Sequence, residues 1–184
     1  MSVEVIVFDL IGVLAEPSWR EIAPPDIATW HRLRVGEIPE SAFWSSAHAA
    51  AYRRVLSFRR DRLAYLERLR ARGYRICLAT NFFAGWLAAL LERREARLFD
   101  VIVVSSEIGA AKPDARFFAE VRRSAPAGSV FVDDQKSNCE AAARAGLRPV
   151  HAYPGRDIEG EVERLLGDWT APSGEPRRAP DGPA

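Results

Sequence analysis

The sequence has few of the residues that build disulfide frameworks or zinc sites, with only two cysteines and three histidines among 184 residues. Cys77 and Cys139 lie in different predicted elements and lack the spacing of metal ligands, so we expect both to be reduced thiols. Neither sign of charge is in excess, because 26 basic and 25 acidic residues give a formal net charge of +1. This balance argues against a nucleic-acid or membrane-surface partner.

Long hydrophobic runs are also missing. No stretch approaches the roughly 20 apolar residues of a membrane-spanning helix. The apolar start of the chain is interrupted by Glu4 and Asp9 and has no basic segment before it, which is atypical of a signal peptide. We therefore expect a cytoplasmic protein that has no membrane partner.

What the chain does contain is an alternation of short apolar runs and amphipathic stretches. Its 48% hydrophobic and 28% charged content is typical of a globular protein, large enough for one domain with a modest insertion. Alternating strands and helices predict an α/β fold, with a Rossmann-like parallel sheet flanked by helices. Residues 17–58 contain no strand-like run, and the Pro- and Gly-rich stretch 170–184 predicts a disordered tail. The predicted strands are 3–8, 74–79, 101–104, 130–132 and 149–152.

Polar side chains follow several of the predicted strands. Taken singly, such residues are also common in turns, where they cap backbone groups. Because the carboxyl ends of parallel strands lie at one edge of a sheet, however, we expect these side chains to converge where ligands bind. They are Asp9 after the first strand, Thr80 and Asn81 after the second, Lys112 in the loop after the third, and Asp133 and Asp134 after the fourth.

This set of side chains has the composition of a phosphate and magnesium site. The adjacent carboxylates of Asp133 and Asp134 repel each other unless a cation or hydrogen bonds compensate, and Mg²⁺ is the usual compensation. Asp9, at the end of a strand, is placed to attack phosphorus and form an acyl phosphate. Thr80 and Lys112 would then stabilise the phosphoryl oxygens. The expected partner is a small phosphorylated molecule.

Four segments resemble motifs one to four of the haloacid dehalogenase (HAD) superfamily, in the right order: 7–14 (VFDLIGVL), 78–81 (LATN), 109–114 (GAAKPD) and 131–134 (FVDD). The resemblance is greatest to the branch of small-sugar phosphatases and epoxide-hydrolase N-terminal domains, which have a helical cap between motifs one and two. It implies a HAD-like core formed by residues 1–16 and 59–169, with a somewhat shortened cap at residues 17–58.

Carried over onto the matching positions, the resemblance implies a role for each polar residue. Asp9 would be the nucleophile, Thr80 and Lys112 would bind the phosphoryl group, and Asn81 would lie beside them. Arg20, soon after motif one, is a further candidate for contact with a substrate anion.

The resemblance also implies a Mg²⁺ site. Asp9 would be one ligand, and Ile11 would offer its backbone carbonyl. Asp134 would be a direct ligand because Asn138 lies four residues later, as the family's spacing requires. Asp133 would act through water or hydrogen bonds.

Ile11 departs from the family's pattern. Phosphatases of the family usually carry a second Asp there, which protonates the departing alkoxide and then activates water. General acid–base catalysis contributes about 10²–10⁴-fold, or roughly 3–5 kcal/mol. Three hypotheses follow: a phosphohydrolase that uses another base or a good leaving group, a dehalogenase-type hydrolase, or a catalytically impaired protein that binds a phosphorylated ligand or a partner protein. Dehalogenase relatives need no Mg²⁺, so the acidic pair argues against the second.

Overall fold

The computed structural model describes residues 5–17, 27–42, 56–91 and 93–167. The predicted tail at 170–184, Arg20 and much of the predicted cap lie outside the described residues. The strands are β1 (Val5–Phe8), β2 (Ala15–Pro17), β3 (Leu56–Phe58), β4 (Arg75–Thr80), β5 (Val101–Val104), β6 (Val130–Asp133) and β7 (Arg148–His151). The helices are α1 (Ile27–Arg34), α2 (Arg60–Ala71), α3 (Ala84–Leu90), α4 (Arg93–Ala96), α5 (Ser105–Ile108), α6 (Ala115–Ser124), α7 (Lys136–Arg144) and α8 (Ile158–Gly167), with a 3₁₀ turn at Glu40–Ala42.

The predicted parallel sheet is confirmed. Five strands pair in the order β5-β4-β1-β6-β7, and every neighbouring pair is parallel. The central strand β1 consists of β-branched and aromatic residues that are all buried, as expected for a strand covered on both faces. Consequently the carboxyl ends of β4, β1 and β6 lie side by side. Thr80 is the last residue of β4, Asp133 is the last residue of β6, and Asp9 directly follows β1.

Alternate residues of the strands face two separate hydrophobic clusters. Ile6 and Phe8 belong to the cluster that also holds buried residues of α1, α2 and α8. Val5 and Val7 belong to the other, which holds buried residues of α6 and α7. This two-residue period is the one expected of a strand between two helical layers. Within the described parts of the chain, no helix is both long enough and apolar enough to span a bilayer.

The expectation that residues 17–58 contain no strand is wrong. β3 pairs antiparallel with β2, and Ala15 lies opposite Phe58 in this two-stranded ribbon. Each strand has only three residues, too few to show a two-residue hydrophobic alternation in the sequence. The ribbon joins the two ends of the segment that separates β1 from α2.

Part of that segment, residues 27–42, packs against the core. Leu33 of α1 is 1% exposed and belongs to the larger hydrophobic cluster. The Trp30 ring meets the Phe83 ring edge to face, with centroids 5.2 Å apart. Gly36 has a φ of +70°, and a Cβ atom there would lie 2.3 Å from the carbonyl oxygen of Ser106. The turn after α1 therefore approaches α5 so closely that a side chain would have no room.

The same segment also caps a core helix. No residue in the first turn of α3 is acidic, and its N-cap residue makes no side-chain cap hydrogen bond. Instead, the Glu40 carboxylate accepts hydrogen bonds from the backbone N–H groups of Gly85 (2.9 Å) and Trp86 (3.0 Å). The Ser106 hydroxyl accepts one from Ala84 N–H at 3.1 Å. Distant side chains thus satisfy backbone donors that a helix start leaves unpaired.

Candidate active site

A cavity of about 320 Å³ lies where the predicted site residues converge. Asp133 is not among its lining residues, because its side chain is fully buried behind them. The cavity wall includes the apolar side chains of Trp30 and Phe82. The predicted site residues that line the cavity are Asp9, Ile11, Thr80, Asn81, Lys112 and Asp134.

Lys112 is the centre of the hydrogen-bond network. Its side chain is 1% exposed, and its ammonium group donates to Asp9 Oδ1 at 2.7 Å, Asp133 Oδ2 at 2.7 Å and the Ala79 carbonyl oxygen at 2.8 Å. An ammonium group has three N–H donors, so these contacts use all of them. Burial by itself lowers the pKa of Lys112, but the two carboxylates outweigh it and the pKa is raised.

Asp9 is buried, which makes the ionised form of its carboxyl group unfavourable. Burial raises its pKa to about 7, and the neighbouring Asp133 adds to the increase, while Lys112 opposes it. One lysine therefore does not fully compensate the two carboxylates that it bridges. Additional positive charge near Asp9 would favour the ionised form, which is the form that can attack an electrophile.

The adjacent carboxylates of Asp133 and Asp134 have different surroundings. Asp133 Oδ1 accepts hydrogen bonds from the Gln135 backbone N–H at 2.8 Å and from Asn138 Nδ2 at 2.9 Å, while its Oδ2 accepts from Lys112. Asp134 is half-buried, lines the cavity and accepts one side-chain hydrogen bond, from Gln135 Nε2 at 2.8 Å. Burial raises the pKa of Asp134. This geometry agrees with Asp134 as the direct ligand and Asp133 as a hydrogen-bonded support, an assignment that stays a prediction.

The acidic cluster fits a divalent cation. Asp9, Asp133 and Asp134 each offer one carboxylate oxygen, and these atoms lie within 4.8 Å of one another. Three carboxylates face one lysine, so the cluster has more negative than positive charge. Carboxylate and carbonyl oxygens are the ligands that Mg²⁺ prefers.

The turn after β1 passes close to this acidic cluster. Gly12 has a φ of +85°, and a Cβ atom there would lie 2.6 Å from Asp134 Oδ2. Only glycine fits both the backbone conformation and the space. The residue between Asp9 and this turn that faces the cavity is the half-buried Ile11.

Asn81 fixes the backbone of Lys112. Its Nδ2 donates to the Lys112 carbonyl oxygen at 2.9 Å, and its Oδ1 accepts from the Lys112 N–H at 2.7 Å. We interpret Asn81 as a residue that positions the lysine, and its contact with a phosphoryl group stays a prediction. Thr80, 1% exposed at the end of β4, lies on the same cavity wall.

Arg34 is a cavity residue that the sequence analysis missed. It ends α1 and lines the cavity together with Trp30, which lies one helical turn earlier. Its Nε is buried, and no hydrogen-bond partner for it exists among the residues that the structure describes. The sequence shows only an arginine next to Leu33 in an amphipathic stretch. This pattern does not distinguish an arginine in a binding site from one exposed to solvent.

Replacing Lys112 by methionine is expected to lower the free energy of unfolding by about 3–5 kcal/mol, because two buried carboxylates lose their shared cation. The loss should be smaller at pH 5 than at pH 8, since Asp9 binds a proton at the lower pH. Urea unfolding at both pH values measures this loss in the free energy of unfolding. The matched control is Lys136→Met, at a lysine whose side chain is 79% exposed. Equal urea midpoints for the two variants would contradict the prediction.

Comparisons with known proteins identify relatives of this chain. A model of the haloacid dehalogenase-like hydrolases matches residues 47–146. A mouse protein named acyl-CoA dehydrogenase family member 10 is 32% identical over 108 residues, which are 55% of this chain but only 10% of that protein. The sesquiterpene phosphatase astK of Aspergillus oryzae is 26% identical over 189 residues, covering 88% of this chain and 95% of that protein.

Solved structures share the same architecture. A HAD-like family hydrolase from Porphyromonas gingivalis superposes with a TM-score of 0.74 at 21% identity, over 92% of this chain and 100% of that one. A wild-type HAD family enzyme from Bacteroides thetaiotaomicron, in complex with magnesium and inorganic phosphate, gives a TM-score of 0.68 at 20% identity, over 85% of this chain and 97% of that one. At such identities the similarity establishes the fold.

Proposed function

Since the chain belongs to the haloacid dehalogenase-like hydrolase family, we propose that it is a Mg²⁺-dependent phosphohydrolase that acts on a small phosphorylated metabolite through an aspartyl phosphate on Asp9. The observation that carries the proposal is the buried Asp9 carboxylate, bridged by Lys112 to Asp133 at the wall of a cavity. The name of the Aspergillus relative and the magnesium and phosphate bound by the Bacteroides enzyme support the same reaction class.

The proposed reaction begins with attack of an Asp9 oxygen on phosphorus. The bond between Asp9 and phosphorus forms while the bond to the leaving oxygen breaks, and water later cleaves the acyl phosphate to release phosphate. Lys112 holds the attacking carboxylate in place through Oδ1. Because its three N–H donors are already used, the lysine acts on the phosphoryl group through its charge, and the Thr80 hydroxyl supplies a donor.

The metal would be held by Asp9, Asp134 and the backbone carbonyl of Ile11, with Asp133 as a supporting acceptor of hydrogen bonds. When bound, Mg²⁺ neutralises negative charge on the phosphoryl group that would otherwise repel the Asp9 carboxylate. We also propose that residues 17–58 form the cap. Its described part provides Trp30 and Arg34 to the cavity wall, so it would contact the leaving group.

The test is Mg²⁺-dependent release of p-nitrophenol from p-nitrophenyl phosphate, combined with mass spectrometry of protein quenched during turnover. We expect release that EDTA abolishes and a phosphoryl group on the peptide that contains Asp9. Without an acid–base residue at Ile11, breakdown of the aspartyl phosphate should be slow enough for the adduct to accumulate. Absence of both release and adduct would contradict the proposal.

The second candidate is a protein that binds a phosphorylated ligand and does not turn it over. It is favoured by Ile11, which has no acid–base group where phosphatases of the family usually carry a second Asp. Calorimetric titration with inorganic phosphate in the presence of Mg²⁺ separates the two. Tight phosphate binding without any p-nitrophenol release would favour the binding protein. The dehalogenase-type hypothesis gains no support from the acidic cluster.

A further inference from the structure

The guanidinium of Arg34 has different surroundings from that of Arg32 on the same helix. Two residues earlier on the same helix, Arg32 is 55% exposed and pairs with Glu37 at 3.5 Å. Arg34 instead lines the cavity that contains Asp9 and Ile11, and its buried Nε has no hydrogen-bond partner among the described residues. A donor without a protein acceptor is costly, and since Arg34 borders the cavity, a ligand in the cavity can supply the acceptor for its guanidinium.

That partner is an anion, because a guanidinium carries a full positive charge and offers only hydrogen-bond donors. Lys112 already donates all three of its N–H groups to protein oxygens. Arg34 is therefore the cavity-lining cation, within the described residues, that still has a donor to offer. A guanidinium keeps its proton under all ordinary conditions, so it stabilises an oxyanion by charge and hydrogen bonding and does not protonate it.

Building on the proposed function, we propose that Arg34 binds the departing oxygen of the substrate and that the enzyme selects phosphates whose leaving group departs as a stable anion, such as acyl and aryl phosphates. As the bond from Asp9 to phosphorus forms, the electron pair of the breaking P–O bond stays on the leaving oxygen. Ile11 has no proton to give, so the product leaves as a carboxylate or phenolate. Water then attacks the aspartyl phosphate and releases phosphate, with the proton passing to solvent.

The test is a series of substituted phenyl phosphates with graded leaving-group pKa, measured as kcat/KM with wild type, Arg34→Gln and Arg34→Lys. We expect Arg34→Gln to lose about 10- to 100-fold with the most basic leaving groups, the rate equivalent of one charge-assisted hydrogen bond, and much less with the most acidic. The plot of log(kcat/KM) against leaving-group pKa should therefore be steeper for Arg34→Gln than for wild type. Arg34→Lys should recover part of the loss, and the control Arg32→Gln should follow wild type.

Three outcomes would overturn the inference. An equal loss across the series would mean that Arg34 binds the phosphoryl group, and no loss would mean that it does not contact the substrate. In both cases the proposed phosphohydrolase would stand. A wild type that hydrolyses no member of the series would refute the proposed function as well. Thermal unfolding of each variant checks folding, and Arg34→Lys keeps the leaving-group comparison available if Arg34→Gln is unstable.

Discussion

Asp9→Asn is expected to lower the rate of phosphate ester hydrolysis by at least about 10⁴-fold, because the amide cannot attack phosphorus. The variant should form no covalent adduct after quenching. It should nevertheless fold, since asparagine has the same shape and can still accept a hydrogen bond from Lys112. Residual turnover within 10-fold of wild type, a rough threshold from the same rate argument, would mean that another group is the nucleophile.

The same substitution is expected to raise the Tm in metal-free buffer at pH 8. A carboxyl whose pKa is raised on folding holds its proton more tightly in the folded state, so its ionisation lowers the free energy of unfolding. The pKa of Asp9 is raised to about 7, mainly by burial. The penalty is therefore absent near pH 4 and complete above about pH 7, and asparagine removes it. A Tm for Asp9→Asn that falls below wild type at pH 8 would contradict this account.

Ile11→Asp is expected to increase hydrolysis of an alkyl phosphate such as ethyl phosphate by about 10²–10⁴-fold. Ile11 is half-buried on the cavity wall, near the carboxylates of Asp9 and Asp134. Those charges would favour the protonated form of a new carboxyl group, which can then donate to the leaving oxygen. For p-nitrophenyl phosphate, kcat/KM should change little, because nitrophenolate leaves without a proton, whereas kcat should rise because the new carboxylate speeds breakdown of the aspartyl phosphate.

The matched control for this gain is Ile11→Asn. Asparagine has nearly the same size and polarity as aspartic acid but cannot transfer a proton. Steady-state rates for both variants on the alkyl and the aryl substrate separate proton transfer from a change in cavity shape. If Ile11→Asn were as active as Ile11→Asp on ethyl phosphate, the missing acid would not be what limits the wild type.

The sheet could be predicted from the sequence because its signals are local. β1 is a continuous run of β-branched and aromatic residues, and Asp9 follows it directly. The convergence of Asp9, Thr80 and Lys112 then follows from the rule that parallel strands end at one edge. The β2–β3 ribbon was missed because three residues are too few to show a period.

Other features depend on contacts that the sequence does not encode locally. The difference between Asp133 and Asp134 rests on hydrogen bonds that Gln135 and Asn138 donate to Asp133, and these form only in the folded turn between β6 and α7. Arg34 was missed because its significance is the lack of a partner, a property of the folded cavity. The roles of these residues and the boundaries of the cap and tail stay predictions.

The capping of α3 by Glu40 has a consequence for engineering by segment exchange. A chimaera that replaces residues 27–42 with the equivalent stretch of another hydrolase would also remove the carboxylate that accepts hydrogen bonds from Gly85 and Trp86. The start of α3 in this core would then lose its capping carboxylate, at a cost of about 0.5–2 kcal/mol, even if the new segment presented a suitable cavity wall. Chimaeras whose new segment has a carboxylate at this position should therefore be stable. Those without one should be less stable, and their lower activity would then reflect lost stability of the core and not altered specificity.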